Sequence, residues 1–116
     1  MSKLTYIGSY GLYSSWITSI ENHILTTLGN YALSNCRWLT SVTLTNITEL
    51  PPNCFYNCQA LTTINIPLVT TLKYSCFARC SSLSSVSLPA VTTVAGYVFD
   101  DCTSLEAISF ENVTVV

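Results

Sequence analysis

Apolar side chains recur along this chain with a strict period of 22 residues. The clearest copy runs from Phe77 to Pro89, and related copies begin 22 residues earlier at Phe55 and 22 residues later at Phe99. Seven apolar positions keep this register, and each set of equivalent residues is called a column below; one column is Cys36, Cys58, Cys80 and Cys102. A fixed period of this length is typical of proteins built from stacked repeats.

Each repeat divides into three segments. The first alternates apolar and polar residues, as at Val42–Leu44, and predicts a short strand. The second, Ile47–Leu50 in the same repeat, predicts an extended or turn segment that returns across the other side. The third, such as Tyr74–Cys80, is too short for an independent helix and predicts one helical turn. Stacking then predicts a parallel ladder of five strand rungs, centred near Ile20, Val42, Ile64, Val86 and Ile108.

The pattern continues over the whole chain and predicts one domain, residues 1–116. It weakens in the first repeat, at about residues 7–28, where Ile7–Leu12 matches Leu28–Leu33 at a spacing of 21 residues. In the same repeat Asn22 occupies a position that is Leu, Ile or Phe in the other copies. An atypical first repeat is expected of a capping unit.

Each repeat follows the consensus Leu-x-x-Ile/Val-x-Leu, then Ile/Val-x-x-Leu/Val, then Phe-x-x-Cys-x-x-Leu. This consensus resembles the BspA-type leucine-rich repeat of bacterial and some protist surface proteins. The resemblance covers Ile7 to Val116. It implies a right-handed leucine-rich-repeat solenoid, α/β if the short helical turns are counted and mostly β if they are not. It also implies protein binding or adhesion at a cell surface or in a secreted protein. It transfers no ligand, because binding residues in such proteins differ from repeat to repeat.

Charge and hydropathy exclude several classes of function. Only 9% of the residues are charged and the net charge is −2, with four scattered cations at Lys3, Arg37, Lys73 and Arg79. Without a basic patch we expect no nucleic-acid partner. No apolar run approaches the ~18 residues of a membrane span, so none is predicted. The first residues, Met1–Gly8, lack the apolar stretch of a signal peptide.

The six cysteines follow the repeat rather than a metal-binding pattern. Cys54 and Cys76 occupy a small slot that is Ala32 and Val98 in other repeats. A metal site is the alternative, but the spacing Cys54-x3-Cys58 matches no strong zinc motif. Equivalent residues on adjacent rungs lie about 4.8 Å apart with parallel Cβ directions, which suits a disulfide poorly. We therefore expect buried free thiols, with no metal and no cofactor.

No catalytic constellation is predicted. His23 is the only histidine and is expected to share the outer face of the first strand with Glu21, with no nucleophile placed beside it. We therefore expect a protein that is not an enzyme. Acidic residues cluster in the last repeat, where a weak calcium site is the alternative to charges that discourage edge pairing: Asp100, Asp101, Glu106 and Glu111.

The outward strand positions are the candidates for binding because the repeat does not dictate them. Eight polar residues form this candidate site: Glu21, Ser41, Thr43, Thr63, Asn65, Ser85, Ser87 and Ser109. They predict a flat, hydroxyl-rich face that recognises a protein or a glycan, although small hydroxyl residues also simply cover a sheet. Trp16 aligns with Trp38, and Tyr10 with Tyr31; we expect them to pack at the edge of the cap, and the alternative for Trp16 and Trp38 is a two-ring patch near the N-terminal end.

Two hypotheses of function follow. The first is a non-enzymatic binding module that recognises a protein or glycan through the sheet face, as in an adhesin. The second is a structural unit that assembles end to end, or a segment of a longer repeat array. Its basis is that the pattern opens near Ile7 and closes at Val116 in the same part of the repeat.

Overall fold

The computed structural model describes residues 3–110 and 114–115. Within these residues the chain forms eleven short strands, and all strand pairing is parallel. The strands in chain order are β1 (Tyr6–Ile7), β2 (Ser19–Asn22), β3 (Thr27–Leu28), β4 (Ser41–Leu44), β5 (Glu49–Leu50), β6 (Thr63–Asn65), β7 (Thr71–Leu72), β8 (Ser85–Leu88), β9 (Thr93–Val94), β10 (Ala107–Phe110) and β11 (Thr114–Val115).

Five rungs stack as the 22-residue period predicts, so the solenoid fold is confirmed. The longer strands form one side of the stack, with β2–β4–β6 as one sheet and β8–β10 as another. The two-residue strands form the other side, as β5–β7–β9–β11 and the pair β1–β3. Registers follow the columns, since Ile20 faces Val42 and Val42 faces Ile64.

Pairing is interrupted between β6 and β8, which contact each other without forming a ladder. Prolines follow the last residues of these two strands and limit the number of hydrogen bonds that the strands can form with their neighbours. The amide of Thr45 donates to the Asn22 carbonyl of the preceding rung (3.3 Å). Pro67 and Pro89 stand in the column of Thr45 and have no amide hydrogen to donate.

The core is a set of apolar columns that run along the stack. Phe55 and Phe77 have no exposed surface, and their rings stack with centroids 5.6 Å apart. Most column members are buried through the fourth rung, with Ile64 and Val94 partly buried, and the columns become half-exposed in the fifth rung at Phe99, Cys102 and Leu105. Column members Phe110, Val113 and Val116 lie outside the residues whose side chains are described.

The atypical first repeat is tied together by Asn22, as its unusual position suggests. This side chain is 2% exposed. Its Oδ1 accepts hydrogen bonds from the amides of Ile24 (2.8 Å) and Leu25 (2.7 Å), and its Nδ2 donates to the Leu4 carbonyl (3.0 Å). The Asn22 side chain therefore forms hydrogen bonds with backbone amides and a carbonyl of the first repeat. A leucine at this position would leave these backbone groups without those hydrogen bonds.

The third segment of each repeat is a series of tight turns, and no helix occurs among residues 3–110 and 114–115. The predicted helical turn cannot continue because two residues per rung adopt positive φ. Ten of the described residues have positive φ, and none of them is glycine. They form two columns: Tyr10, Tyr31, Asn53, Ser75 and Tyr97 in one, and Ser14, Asn35, Asn57, Arg79 and Asp101 in the other. Left-handed backbone at these points breaks a helical path.

Backbone amides in these turns alternate between two directions. The amides of Asn53, Phe55 and Asn57 donate to carbonyls of the following rung, at Tyr74 (2.9 Å), Cys76 (2.8 Å) and Ala78 (2.8 Å). The amides between them close turns within their own rung; that of Tyr56, for example, donates to the Asn53 carbonyl. The turn segments are therefore bonded from rung to rung as regularly as the strands are.

Asn57 allows a test of how much the left-handed columns contribute. Its φ is 62°, its Nδ2 donates to Asn35 Oδ1 (2.7 Å), and its Oδ1 accepts from Gln59 Nε2 (3.1 Å). We expect Asn57→Ala to lower the free energy of unfolding by about 2 kcal/mol, from backbone strain and lost hydrogen bonds. Asn57→Gly keeps the backbone permissive and should cost about half as much. Urea denaturation measures both, and equal losses would contradict a backbone contribution.

Candidate functional site

The strand registers bring the eight predicted site residues onto one surface, called the front face: Glu21, Ser41, Thr43, Thr63, Asn65, Ser85, Ser87 and Ser109. Glu21 lies beside Thr43, Thr43 beside Asn65, and Ser87 beside Ser109. None is buried, because successive residues of a strand point to opposite sides and the apolar neighbours take the core side. The interruption between β6 and β8 divides the face into two parts.

Hydroxyl groups on the front face differ from those beside it. The hydroxyls of the flanking threonines donate hydrogen bonds to the preceding rung: Thr40 Oγ1 donates to the Thr18 carbonyl (3.0 Å) and Thr62 Oγ1 to the Thr40 carbonyl (3.2 Å). The side chains of Thr43, Asn65 and the other front-face residues except Glu21 make no hydrogen bond to any residue that the structure describes. Their donors and acceptors point to solvent and can serve a partner.

His23 lies at the edge of the front face between two polar side chains. Its Nε2 is 3.1 Å from Glu21 Oε2, and its Nδ1 is 2.7 Å from Thr45 Oγ1 on the next rung. The Thr45 hydroxyl reaches His23 because the two residues are 22 apart and therefore lie on adjacent rungs. A search for neighbours that are close in sequence does not find this pair. The His23 and Glu21 side chains are 58% and 72% exposed, so the three residues lie on open surface rather than in a cleft that could position a substrate.

Trp16 and Trp38 depart from the prediction that they pack at the edge of the cap. Their exposed fractions are 84% and 61%, among the highest of the large apolar residues described. They line a cleft of about 250 Å³ together with Ser14, Ser15, Asn35 and Arg37. Tyr10 and Tyr31 behave as expected, because their rings stack with centroids 4.8 Å apart. The indoles are thus exposed although the tyrosines of the same rungs pair.

The cysteine column is structural, and all six cysteines of the chain are free thiols. Each column thiol donates to a carbonyl of the preceding rung; Cys58 Sγ reaches the Leu33 carbonyl and Cys80 Sγ the Phe55 carbonyl, at 3.1 and 3.2 Å. This donor role explains why cysteine rather than alanine fills the position. Burial raises the pKa of Cys58 to about 12 and that of Cys80 well above its usual value. The buried thiols are therefore poor nucleophiles.

Metal-ligating residues do not gather in the described part of the chain. Residues 3–110 and 114–115 contain no group of three or more His, Cys, Asp or Glu side chains that could hold a metal ion. Of the acidic cluster, Asp101 lies 3.8 Å from Arg79 Nε, and Glu111 is outside the described residues. No helix long and apolar enough to cross a membrane is found among the described residues.

Comparison with known proteins agrees with the repeat pattern. Residues 5–116 match the BspA type leucine rich repeat region in 6 copies. A leucine-rich cell surface protein from Faecalibacterium prausnitzii superposes with a TM-score of 0.86 at 26% identity, over 93% of this chain and 30% of its own. A comparison with curated proteins gives no match.

Two further solved structures share the fold. A leucine-rich repeat protein from Bacteroides ovatus has a TM-score of 0.75 at 24% identity, covering 97% of this chain and 37% of its own. A leucine-rich repeat protein from T. pallidum has a TM-score of 0.72 at 17% identity, covering 97% and 66%. The chain therefore spans about a third of the length of the first two of these structures.

Proposed function

The chain belongs to the BspA-type leucine-rich repeat family, and from this membership we propose that it is a non-enzymatic binding module whose front face docks a protein partner. The similarity to a bacterial leucine-rich cell surface protein supports a module of this kind. An open sheet face without a deep cleft suits a macromolecule better than a small ligand, which needs a concave site. A glycan is the other candidate partner for this face.

One observation carries the proposal. Seven polar side chains of the front face make no hydrogen bond to described residues, while threonines beside them are bonded to neighbouring rungs. These seven groups therefore contribute no side-chain hydrogen bond to the described part of the repeat. A partner that lies across Thr43, Asn65 and Ser87 can therefore form hydrogen bonds without breaking any within the protein.

Front-face charge should abolish binding and leave the fold intact. We expect Asn65→Arg and Ser87→Arg to weaken binding at least about 10-fold, since a bulky cation in the centre of an interface must be desolvated. Both positions are exposed, so thermal stability should change little. Affinity is measured by biolayer interferometry against the strongest binder from an array of purified extracellular proteins and glycans.

The matched control is Thr48→Arg, which adds the same charge at an exposed position outside the front face. It should leave affinity unchanged. If all three variants bind as tightly as the unmodified chain, the binding site does not lie on the front face.

End-to-end assembly stays a prediction, and light scattering at several concentrations distinguishes it from a monomeric binding module.

A further inference from the structure

A second surface lies beside the first two rungs, where both tryptophans of the chain are exposed. Trp16 lies three residues before β2 and Trp38 three residues before β4. The repeat does not require an aromatic residue here, because the same column continues with small side chains: Ala60, Ser82 and Ser104. With exposed fractions of 84% and 61%, the indoles bury little surface in the core. Their presence is therefore not explained by the fold.

Two adjoining clefts share these indoles. The first, of about 250 Å³, is lined by Trp16 and Trp38 and by polar residues: Ser14, Ser15, Asn35 and Arg37. The second, of about 300 Å³, lies between Trp16, Thr18 and Trp38. The indoles make no ring contact with other described residues, whereas Tyr10 and Tyr31 stack directly on one another. The faces of the indoles are therefore available to a ligand.

The polar wall of the first cleft is held in place by hydrogen bonds. Asn35 Oδ1 accepts from Asn57 Nδ2 (2.7 Å), and Asn35 Nδ2 donates to Ser14 Oγ (2.9 Å). Ser15 Oγ accepts from the Ile17 amide (3.3 Å). A serine hydroxyl that accepts one hydrogen bond keeps its own hydrogen to donate. Two fixed hydroxyl groups thus face the cleft as donors.

Arg37 adds a positive charge that has no ion-pair partner in the part of the chain that the structure describes. Among the described residues, Lys73 lies 3.8 Å from Glu49 and Arg79 lies 3.8 Å from Asp101, but Arg37 has no ion pair or hydrogen bond. A guanidinium offers paired donors that match a carboxylate. Since it is a single cation, it suits one carboxylate rather than the many phosphates of a nucleic acid.

We propose that the cleft between Trp16 and Trp38 binds an acidic carbohydrate, with a sugar ring against an indole and its carboxylate on Arg37. The apolar face of a pyranose packs on an aromatic ring, and its hydroxyls accept hydrogen bonds from groups such as Ser14 and Ser15. Tryptophan and arginine are also the side chains that most often dominate binding energy. The site is separate from the front face and does not depend on the function proposed for it.

Intrinsic fluorescence tests this site directly, because both tryptophans of the chain line it. The full chain is titrated with a galacturonic acid oligomer and with a neutral galactose oligomer of equal length. We expect a saturable change in emission, with the acidic oligomer binding ~10-fold more tightly than the neutral one. Arg37→Gln should remove that difference. Trp38→Ala, measured by calorimetry, should weaken binding of the acidic oligomer ~30-fold.

The controls separate this site from the front face and from general loss of structure. Tyr74→Ala removes another exposed aromatic, and Asn65→Arg alters the front face; both should keep full affinity for the acidic oligomer. If Trp38→Ala unfolds, Trp16→Ala gives the same test at an 84% exposed position. The proposal is overturned by the absence of a saturable change or by equal affinity for both oligomers.

Discussion

Raising the pH above about 9 is expected to unfold this protein within about one to three pH units, because its core depends on neutral thiols. Four cysteines are fully buried and have raised pKa values, to about 12 for Cys58: Cys54, Cys58, Cys76 and Cys80. Burial is the main cause, since a thiolate in the apolar interior loses its hydration. The column thiols Cys58 and Cys80 also lose their role as donors to carbonyls when they ionise.

The direction follows from proton binding in the two states. An unfolded cysteine has the ordinary pKa of 9.0, so below pH 9 both states keep the proton and stability is unaffected. Between pH 9 and about 12 the unfolded chain releases protons that the folded chain still holds, so stability falls as pH rises. Each thiol contributes about 1.4 kcal/mol per pH unit, and four together about 5 kcal/mol per unit. A typical domain, stable by about 5–15 kcal/mol, loses its fold within one to three units.

Urea denaturation followed by circular dichroism at pH 7 to 11 measures this dependence. Cys58→Ala should lower stability at pH 7 but reduce the slope above pH 9 by about 1.4 kcal/mol per unit. Thiol titration of a denatured sample without reductant should find close to six free groups, which rules out disulfides as the source. A stability that is flat from pH 8 to pH 11 would contradict the buried-thiol account.

Phe77→Ala is expected to lower the free energy of unfolding by about 3–5 kcal/mol. Phe77 has no exposed surface, and its ring stacks between those of Phe55 and Phe99, at centroid distances of 5.6 and 5.9 Å. Removing the ring leaves a cavity and also separates the rungs on both sides. Because each rung is covered only by its neighbours, the loss weakens two interfaces at once.

Phe99→Ala is the matched control, since the same ring in the same column is only half-buried. It should cost about half as much, because less transfer energy is lost and the site can relax. Phe77→Leu, which keeps most of the volume, should also cost less than Phe77→Ala. Thermal and urea denaturation measure all three variants. Equal costs for Phe77→Ala and Phe99→Ala would show that stacking between rungs adds nothing.

The columns could be predicted from the sequence because every repeat needs an apolar side chain at the same core positions. Val42, Ile64 and Val86 differ in identity but share shape and hydropathy, so the period identifies them. The turns could not be predicted in the same way. Their left-handed residues share a backbone conformation but no side-chain type, since Ser75 and Tyr97 occupy one column and no glycine marks it.

The positions of the front-face residues could be predicted from strand alternation, whereas the exposure of the two tryptophans could not be predicted from the sequence. Alternation assigns Asn65 and Ser87 to the front face, and the structure places them there. For Trp16 and Trp38, hydropathy favours packing, yet the indoles are 84% and 61% exposed. The 22-residue offset places His23 and Thr45 in one column, but the 2.7 Å contact between their side chains depends on the spacing of the rungs and on rotamers, which the sequence does not give.

The forward-pointing amides of the turn segments give the turn side of the stack an electrical polarity. Three peptide groups per rung align in one direction, as at Asn53, Phe55 and Asn57, so their dipoles add from rung to rung as they do along a helix. The positive end is at the fifth rung, where the corresponding amides belong to Tyr97, Phe99 and Asp101 and meet no acceptor among the described residues. The carboxylates of Asp100 and Asp101 lie in that rung, so the negative side chains stand at the end of the array that attracts anions.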